Sequence, residues 1–306
     1  MKVTVLAGGL GGSRFALALA ETIGPSELTI VGNVGDDVEV LGLHVSPDLD
    51  TILYTLAGRL DESKGWGRVD ESWHALETVG ELGGETWFRL GDRDLGLHLV
   101  RTDALSRGEP LSAVTARLAR AFGLEPRLLP ATDDRLRTWV DTPAGDFPFQ
   151  EWFVGRQHRD EVDGVRFDGA QEASPAPGVL EALERADLIA IAPSNPFVSI
   201  APILAVPAIR EAIERRRAPA VALSPLIGGK TVRGPADRML ARLAGGTGPQ
   251  QVTGCYKDLI DALVIDEADA DQEAGIRTIV TRTLMSDAEG RRRVAEAVLE
   301  TAGALR

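Results

Sequence analysis

The chain has a single cysteine, Cys255, in 306 residues. An intrachain disulfide and a cysteine-based zinc site are therefore both excluded. Histidine is scarce too. His44, His74, His98 and His158 are scattered without the spacing of a helical metal pair, which argues against a histidine-based metal centre. Basic residues are outnumbered, with 33 Lys and Arg against 46 Asp and Glu, a net charge of −13. That balance disfavours a general nucleic-acid or anionic-membrane surface, but leaves room for a small anionic ligand in a local basic pocket. No apolar run reaches the length of a membrane helix. The N-terminus reads as a strand with one lysine, not as a signal peptide with an apolar stretch. The expectation is a soluble, cytoplasmic protein with no nucleic-acid or membrane partner.

What is present is a core. Hydrophobic residues make up 44% of the chain, enough for one large α/β domain or a core with an inserted subdomain. Lys2–Ala7, Leu28–Val31, Asp187–Ala192, Pro219–Leu223 and Ala262–Ile265 read as short buried strands. Arg14–Ile23, Leu49–Leu56, Val179–Arg185, Pro207–Arg217, Ala236–Leu243 and Ala288–Ala302 have helical spacing between and after them. Strand–helix alternation at both ends predicts an α/β fold: a Rossmann-like, doubly wound, mostly parallel sheet. Residues 59–177 depart from that rhythm. Glu71–Leu82, Leu95–Leu105 and Leu111–Phe122 look helical, and Thr142-Pro143-Ala144-Gly145-Asp146 marks a hairpin between Leu136–Val140 and Phe147–Val154. The expected organisation is a nucleotide-binding core at 1–58 plus 178–306, with an α+β subdomain inserted at 59–177 over the ligand-binding edge of the sheet.

The chemistry concentrates near the N-terminus. A glycine loop, Gly8-Gly9-Leu10-Gly11-Gly12-Ser13-Arg14, follows the first strand, where backbone N–H groups can hold phosphate. Downstream lie five acids, Asp36, Asp37, Glu39, Asp48 and Asp50, with no Lys or Arg between Gly32 and Thr51. Carboxylates beside a phosphate site repel it unless a cation intervenes, and Mg²⁺, with its preference for hard oxygen ligands and water, is the usual solution. The first expectation is a Mg²⁺-dependent enzyme acting on a nucleotide or diphosphate. The loop is not a dinucleotide fingerprint, because Arg14 stands where the third glycine belongs. Arg14 offers a cation at a helix N-terminus instead. Gly228-Gly229-Lys230-Thr231 is not a P-loop either, since Ser224 occupies the place of its first glycine. Two loops after buried strands, Ala192-Pro193-Ser194-Asn195-Pro196 and Ser224-Pro225-Leu226-Ile227-Gly228-Gly229, are placed to face a ligand; the prolines stiffen the first. Arg93, between Asp92 and Asp94, is either a surface ion-pair residue or an arginine held by acids so that its fork meets a phosphate or carbonyl.

Seven segments, in order along the chain, resemble the 2-phospho-lactate transferase family of coenzyme F-420 biosynthesis, including its actinobacterial phosphoenolpyruvate transferase members. They are GGLGGSR at 8–14, GNVGDD at 32–37, SPDLDT at 46–51, LGDRD at 90–94, ATDD at 131–134, APSNP at 192–196 and SPLIGGKTVRGP at 224–235. Arg14 stands where that family has a lysine, which keeps the charge, and Leu226 where an isoleucine is usual. The resemblance implies a donor that is a guanosine-diphosphate ester of phosphoenolpyruvate or 2-phospho-L-lactate, and the deazaflavin Fo as acceptor. The ribityl hydroxyl of Fo would attack the phosphorus bearing the three-carbon acid, releasing GMP and forming (dehydro-)F-420-0. It implies catalytic roles for Asp50, Asp37 and Arg93, with Asp50 and Arg93 on Fo and Mg²⁺ on Asp37 and Asp50. It places the nucleotide against Gly9, Gly11, Gly12, Arg14 and Asn33, and against Ser194, Asn195, Ser224 and Gly228. A homodimer is expected. Two other classes compete. A non-catalytic nucleotide-sugar-binding regulator of related fold, such as the gluconeogenesis-factor group, should lack SPDLDT and LGDRD. An NAD-type oxidoreductase is disfavoured by the missing third glycine.

Overall fold

A computed structural model describes residues 1–305. Its centre is a seven-stranded sheet built from β1 (Val3–Ala7), β2 (Leu28–Gly32), β3 (Arg127–Pro130), β4 (Leu188–Ile191), β5 (Ala220–Leu223), β6 (Ala262–Asp266) and β7 (Arg277–Thr281). The spatial order is β7-β6-β5-β4-β1-β2-β3, and all six pairings are parallel. β1, β4, β5 and β6 are buried at every position. A central parallel strand covered by helices on both faces has no solvent side, which is why these segments are continuous apolar runs and do not alternate. Val3 pairs with Leu28 on one side and Leu188 on the other. Strand order reverses between β1 and β4, and the crevice at such a reversal is where doubly wound sheets bind ligands.

Helix α1 (Gly9–Ile23) begins inside the glycine loop, five residues before the expected start at Arg14, with Gly9 at φ +64°. The loop is therefore the first turn of the helix. Helix α2 (Pro47–Leu56) has Pro at its first position and Asp48 and Asp50 in its first turn, which suits the helix dipole.

The stretch 59–177 is not one contiguous insertion. Arg127–Pro130 leaves it to become the edge strand β3, pairing with Thr29–Gly32. Before it lie the helices His74–Glu81, Asp92–Ser106 and Leu111–Ala121; after it, a three-stranded antiparallel sheet of Arg137–Thr142, Gly145–Pro148 and Gly164–Asp168. The Thr142-to-Gly145 hairpin forms, but its second strand stops at Pro148 and the chain turns into one wide helical turn at Glu151–Gly155. The small sheet is tied to the end of β2: Thr138 N donates to Gly35 O at 2.8 Å, and Gln150 Nε2 to Asp36 O at 3.3 Å. A buried cluster of Val140, Phe149, Trp152 and Val162 with Val198 and Met239 packs the same unit onto the core. No single helix among the described residues is long and apolar enough to cross a membrane.

Candidate active site

A cavity of about 700 Å³ opens at the strand-order reversal. Its floor is Gly8–Gly11 after β1, Pro193–Asn195 after β4 and Ser224 after β5. One wall is aromatic, with Trp66, Trp87, Phe88, Phe149 and Phe153 from the inserted segments. Four cations line it: Arg14, Lys64, Arg89 and Arg233.

The floor is fitted backbone to backbone. A Cβ on Gly11 would lie 2.7 Å from Pro193 O, and one on Gly12 2.6 Å from Ser194 Oγ, so neither position tolerates a side chain. The Ser194 hydroxyl donates to Gly8 O at 2.7 Å and accepts from Gly8 N at 3.2 Å. It staples the two loops together. The first-turn amides of Leu10 and Gly11 have no acceptor within the helix and are the donors left for an anion.

The acids divide by helix geometry. Asp48 and Thr51, three residues apart on α2, share the face toward the cavity. Asp50 is two residues from Asp48, about 200° around the helix, and faces the other way. There Arg101 grips both of its oxygens, Nη1 to Oδ2 at 2.9 Å and Nη2 to Oδ1, with side-chain exposures of 2% and 7%. His98 adjoins the pair, its pKa lowered to about 4 chiefly by burial. Asp37 is buried behind the cavity and receives Ser46 Oγ at 2.8 Å, with His44 Nε2 at 2.9 Å. The carboxylates that line the cleft are therefore Asp36 and Asp48, where the sequence had singled out Asp37 and Asp50. Helical periodicity and the Arg101 partner, 51 residues downstream, are the physical reasons.

Asp36 and Asp48 are joined by one amide: Asn33 Nδ2 donates to Asp36 Oδ1 at 2.8 Å and to Asp48 Oδ2 at 3.0 Å. Asp48 Oδ1 also accepts from Gly9 N at 2.7 Å, and a Cβ on Gly8 would strike the same carboxylate. Burial, then the neighbouring carboxylates, push Asp36 well above the usual range; burial raises Asp48 to about 6. Among the described residues, neither acid has a cationic partner in an ion pair. Two close, buried, uncompensated carboxylates with free oxygen lone pairs suit a hard divalent cation. No cluster of three or more protein ligands exists among the described residues, so such an ion would complete its shell with water and ligand oxygens, as Mg²⁺ does.

The remaining expected residues fall into two groups. Gly9, Gly11, Arg14, Ser194, Asn195 and Ser224 line the cavity; Gly12 and Gly228 support it from behind. Asn33 is fully buried, with its amide spent on the two acids and its oxygen on Gly35 N. Asn195 caps its own turn, accepting from Phe197 N at 3.0 Å. The Gly228–Gly229 turn is held by the buried carboxylate of Asp269, at 3.0 and 2.8 Å. Arg93 lies outside the cavity, exposed in the first turn of helix Asp92–Ser106; only its backbone N–H is engaged, by Glu71 at 2.8 Å. Its neighbours are structural: Asp92 accepts from Ser72 Oγ and the amides of His74 and Ala75, and Asp94 accepts from Tyr54.

Arg89, Arg233 and Lys64 escaped the sequence reading. Arg233 sits in the SPLIGGKTVRGP segment, so its motif was a signal; the others come from stretches with no motif of their own. Arg14 and Arg233 also hold a loop across the mouth. Arg14 pairs with Glu62, and Arg233 donates to Lys64 O at 2.5 Å and Ser63 O at 3.4 Å.

A family model described as 2-phospho-L-lactate transferase CofD matches residues 3–300. Proteins named phosphoenolpyruvate transferase are similar over essentially the whole chain. That of Streptomyces griseus is 43% identical, covering 100% of both chains; that of Kitasatospora aureofaciens is 44% identical, covering 100% of this chain and 99% of the relative. That of Mycolicibacterium smegmatis is 41% identical, covering 99% of each. Among solved structures, a Bacillus halodurans protein superposes with a TM-score of 0.65 at 19% identity, over 97% of this chain and 99% of that one. That likeness speaks to the fold alone.

Proposed function

The chain belongs to the 2-phospho-L-lactate transferase family of coenzyme F-420 biosynthesis and is a transferase, and from that premise we propose the reaction it performs. It moves a phosphoenolpyruvyl or 2-phospho-L-lactyl group from a guanosine-diphosphate ester to the ribityl hydroxyl of Fo. The hydroxyl oxygen forms a bond to the phosphorus bearing the three-carbon acid, the bond to the GMP phosphate breaks, and GMP leaves with the displaced electron pair.

One observation carries this reading. The Asp36–Asp48 pair, without a counter-cation, lies beside free helix N-terminal amides and the guanidinium groups of Arg14 and Arg233 in one cleft. Phosphoryl transfer needs positioning and charge neutralisation more than covalent help. Asp36 and Asp48 hold Mg²⁺, which when bound supplies charge neutralisation at the phosphate oxygens. The amides of Leu10 and Gly11, with Arg14 and Arg233, orient the diphosphate. The proton of the attacking hydroxyl passes to solvent water as the new oxygen–phosphorus bond forms. Trp66, Trp87, Phe88 and Phe153 offer flat apolar surface to the deazaflavin ring, with Arg89 beside them.

The test is mass spectrometry of the product made from Fo with each of the two candidate donors, with and without EDTA. Formation of F-420-0 or its dehydro form, lost in excess EDTA, is expected. Turnover unchanged by EDTA overturns the metal assignment. No product from either donor, together with tight UDP-sugar binding, overturns the transfer reaction in favour of a regulator.

A further inference from the structure

A second cavity, about 240 Å³, lies behind the acids. It is a partly open hollow lined by the loop Gly35–Glu39 and the edge of the small inserted sheet, and it shares Asp36, Phe149 and Gln150 with the main cleft. Nothing in the reaction as described above uses it.

Its polar lining is unusual in what is left unpaired. Arg137 is half-buried, and its one hydrogen bond runs from Nη1 to the adjacent Leu136 O at 2.8 Å. It forms no ion pair within 4 Å, so the rest of its planar fork is unengaged. The Thr138 hydroxyl, on a residue 2% exposed, has no partner, and neither has Asp37 Oδ1, on a residue 4% exposed. Buried polar atoms are nearly always satisfied, so the unpaired Thr138 hydroxyl beside the unengaged Arg137 fork marks a place for a hydrogen-bond acceptor, whereas the Asp37 oxygen calls for a donor or a cation. Burial lowers the proton affinity of Arg137, the direction expected of a cation short of a counter-charge.

We propose that this cavity is the subsite for the carboxylate of the transferred three-carbon acid, gripped by the Arg137 guanidinium and the Thr138 hydroxyl while the acid's phosphate rests in the main cleft beside Asp36. The inference rests on the transfer reaction proposed above. Three arguments support it. The volume lies below the roughly 300–1,000 Å³ of sites for drug-sized ligands, which excludes a tricyclic ring or a nucleoside but admits a three-carbon acid. The position suits it, because Asp36, Phe149 and Gln150 line both cavities, so the two adjoin at the residues beside the main cleft. The chemistry is right, because a planar guanidinium with free donors matches a carboxylate in two-point geometry. Asp37 and Glu39 also line the cavity. They repel a carboxylate and leave the Arg137 side as its favourable end. Arg135 adds a second positive charge there. Phosphoenolpyruvate and 2-phospho-L-lactate both carry the carboxylate, so this contact recognises the acid without choosing between the two.

The experiment is calorimetry on the full chain with saturating Mg²⁺, titrating the guanosine-diphosphate ester of phosphoenolpyruvate and, separately, GDP. The two differ only in the three-carbon acid. Arg137→Ala is expected to weaken the ester by about tenfold or more while GDP stays within about twofold of wild type. Thr138→Val gives a smaller loss of the same selectivity. A thermal melt accompanies each variant. If Arg137→Ala melts too low to titrate, Arg137→Gln and Thr138→Val are read by the same criterion. An unchanged ester affinity, or equal losses for ester and GDP, overturns the subsite while leaving the transfer reaction standing. A wild-type protein that binds neither ester nor GDP overturns that reaction, and this subsite with it.

Discussion

Asp48 and Asp50 sit two residues apart on one short helix and lead opposite lives. Asp50, on the back face, is neutralised by Arg101 in a buried two-point pair. Asp48, on the cleft face, shares one Asn33 amide with Asp36 and carries a pKa raised to about 6. The lesson concerns what a buried charge is for. A paired carboxylate is part of the scaffold, and its loss strands a partner. An unpaired one, held against its own electrostatics, costs stability and is retained where a ligand will compensate it.

The largest effect that would break this comparison is on turnover. Asp48→Asn should lower kcat/KM by about a hundredfold to a thousandfold, with a melting temperature equal to wild type or higher, because a repulsion is removed. Asp50→Asn should do the reverse in kind. It leaves Arg101 buried without its counter-charge, at a cost of about 3–5 kcal/mol in chemical denaturation. The double change Asp50→Leu with Arg101→Met should cost less than Asp50→Asn alone. If Asp50→Asn is as stable as wild type but inactive, the assignment of the two faces is wrong.

A smaller effect sharpens the contrast through pH. The folded state raises Asp48 from 3.8 to about 6, so it retains a proton that the unfolded chain releases across that window. This group's contribution to stability therefore falls as pH rises from about 4 to about 6. A cation binds the ionised pair and offsets that loss. The rise in melting temperature caused by Mg²⁺ should accordingly grow between pH 5 and pH 7. A Mg²⁺-induced shift that is the same at both pH values, or absent, would count against the pair as metal ligands.

The smallest effect concerns the mouth of the cleft. Glu62 is exposed and pairs with Arg14, so the contact itself is worth under about 1 kcal/mol. Glu62→Gln should free Arg14 for the donor phosphates and lower the donor KM a few-fold at most, with kcat little changed. A raised donor KM would show that Glu62 helps to bind the donor and does not compete with it.

Much of the fold was legible because short apolar runs such as Val3–Ala7 and Leu188–Ile191, too short for helices and followed by helical spacing, read as buried parallel strands. The edge strand β3 was not, because four residues, Arg127-Leu128-Leu129-Pro130, carry too little pattern to announce themselves. At the site, the glycine loop and the acid-rich segments both line the large cavity. The structure turns Asp36 and Asp48, not Asp37 and Asp50, toward the cleft, and part of the reason was itself available. With a helix starting at Pro47, residues 48 and 50 cannot share a face, and only one of them can meet a ligand at the sheet edge. The identity of the buried partner, Arg101, was out of reach, since no local pattern links it to Asp50. Aromatics of the inserted region were candidates to flank a flat ring, but which ones meet was not legible, because Trp66, Trp87 and Phe153 converge only through the packing of segments far apart in sequence.

The strand order has a consequence in time. β1 is finished at residue 7, but its partner β4 begins at residue 188. While the chain is being made, the β3-β2-β1 half-sheet can assemble once residue 130 has emerged, leaving the buried-type strand Val3–Ala7 as an open edge until some 60 further residues complete β4. The glycine loop waits with it, because Ser194, which staples that loop, arrives later still. The cleft thus cannot close before β4 and the loop after it have been made, and until then the nascent protein carries an apolar edge that another chain could pair with.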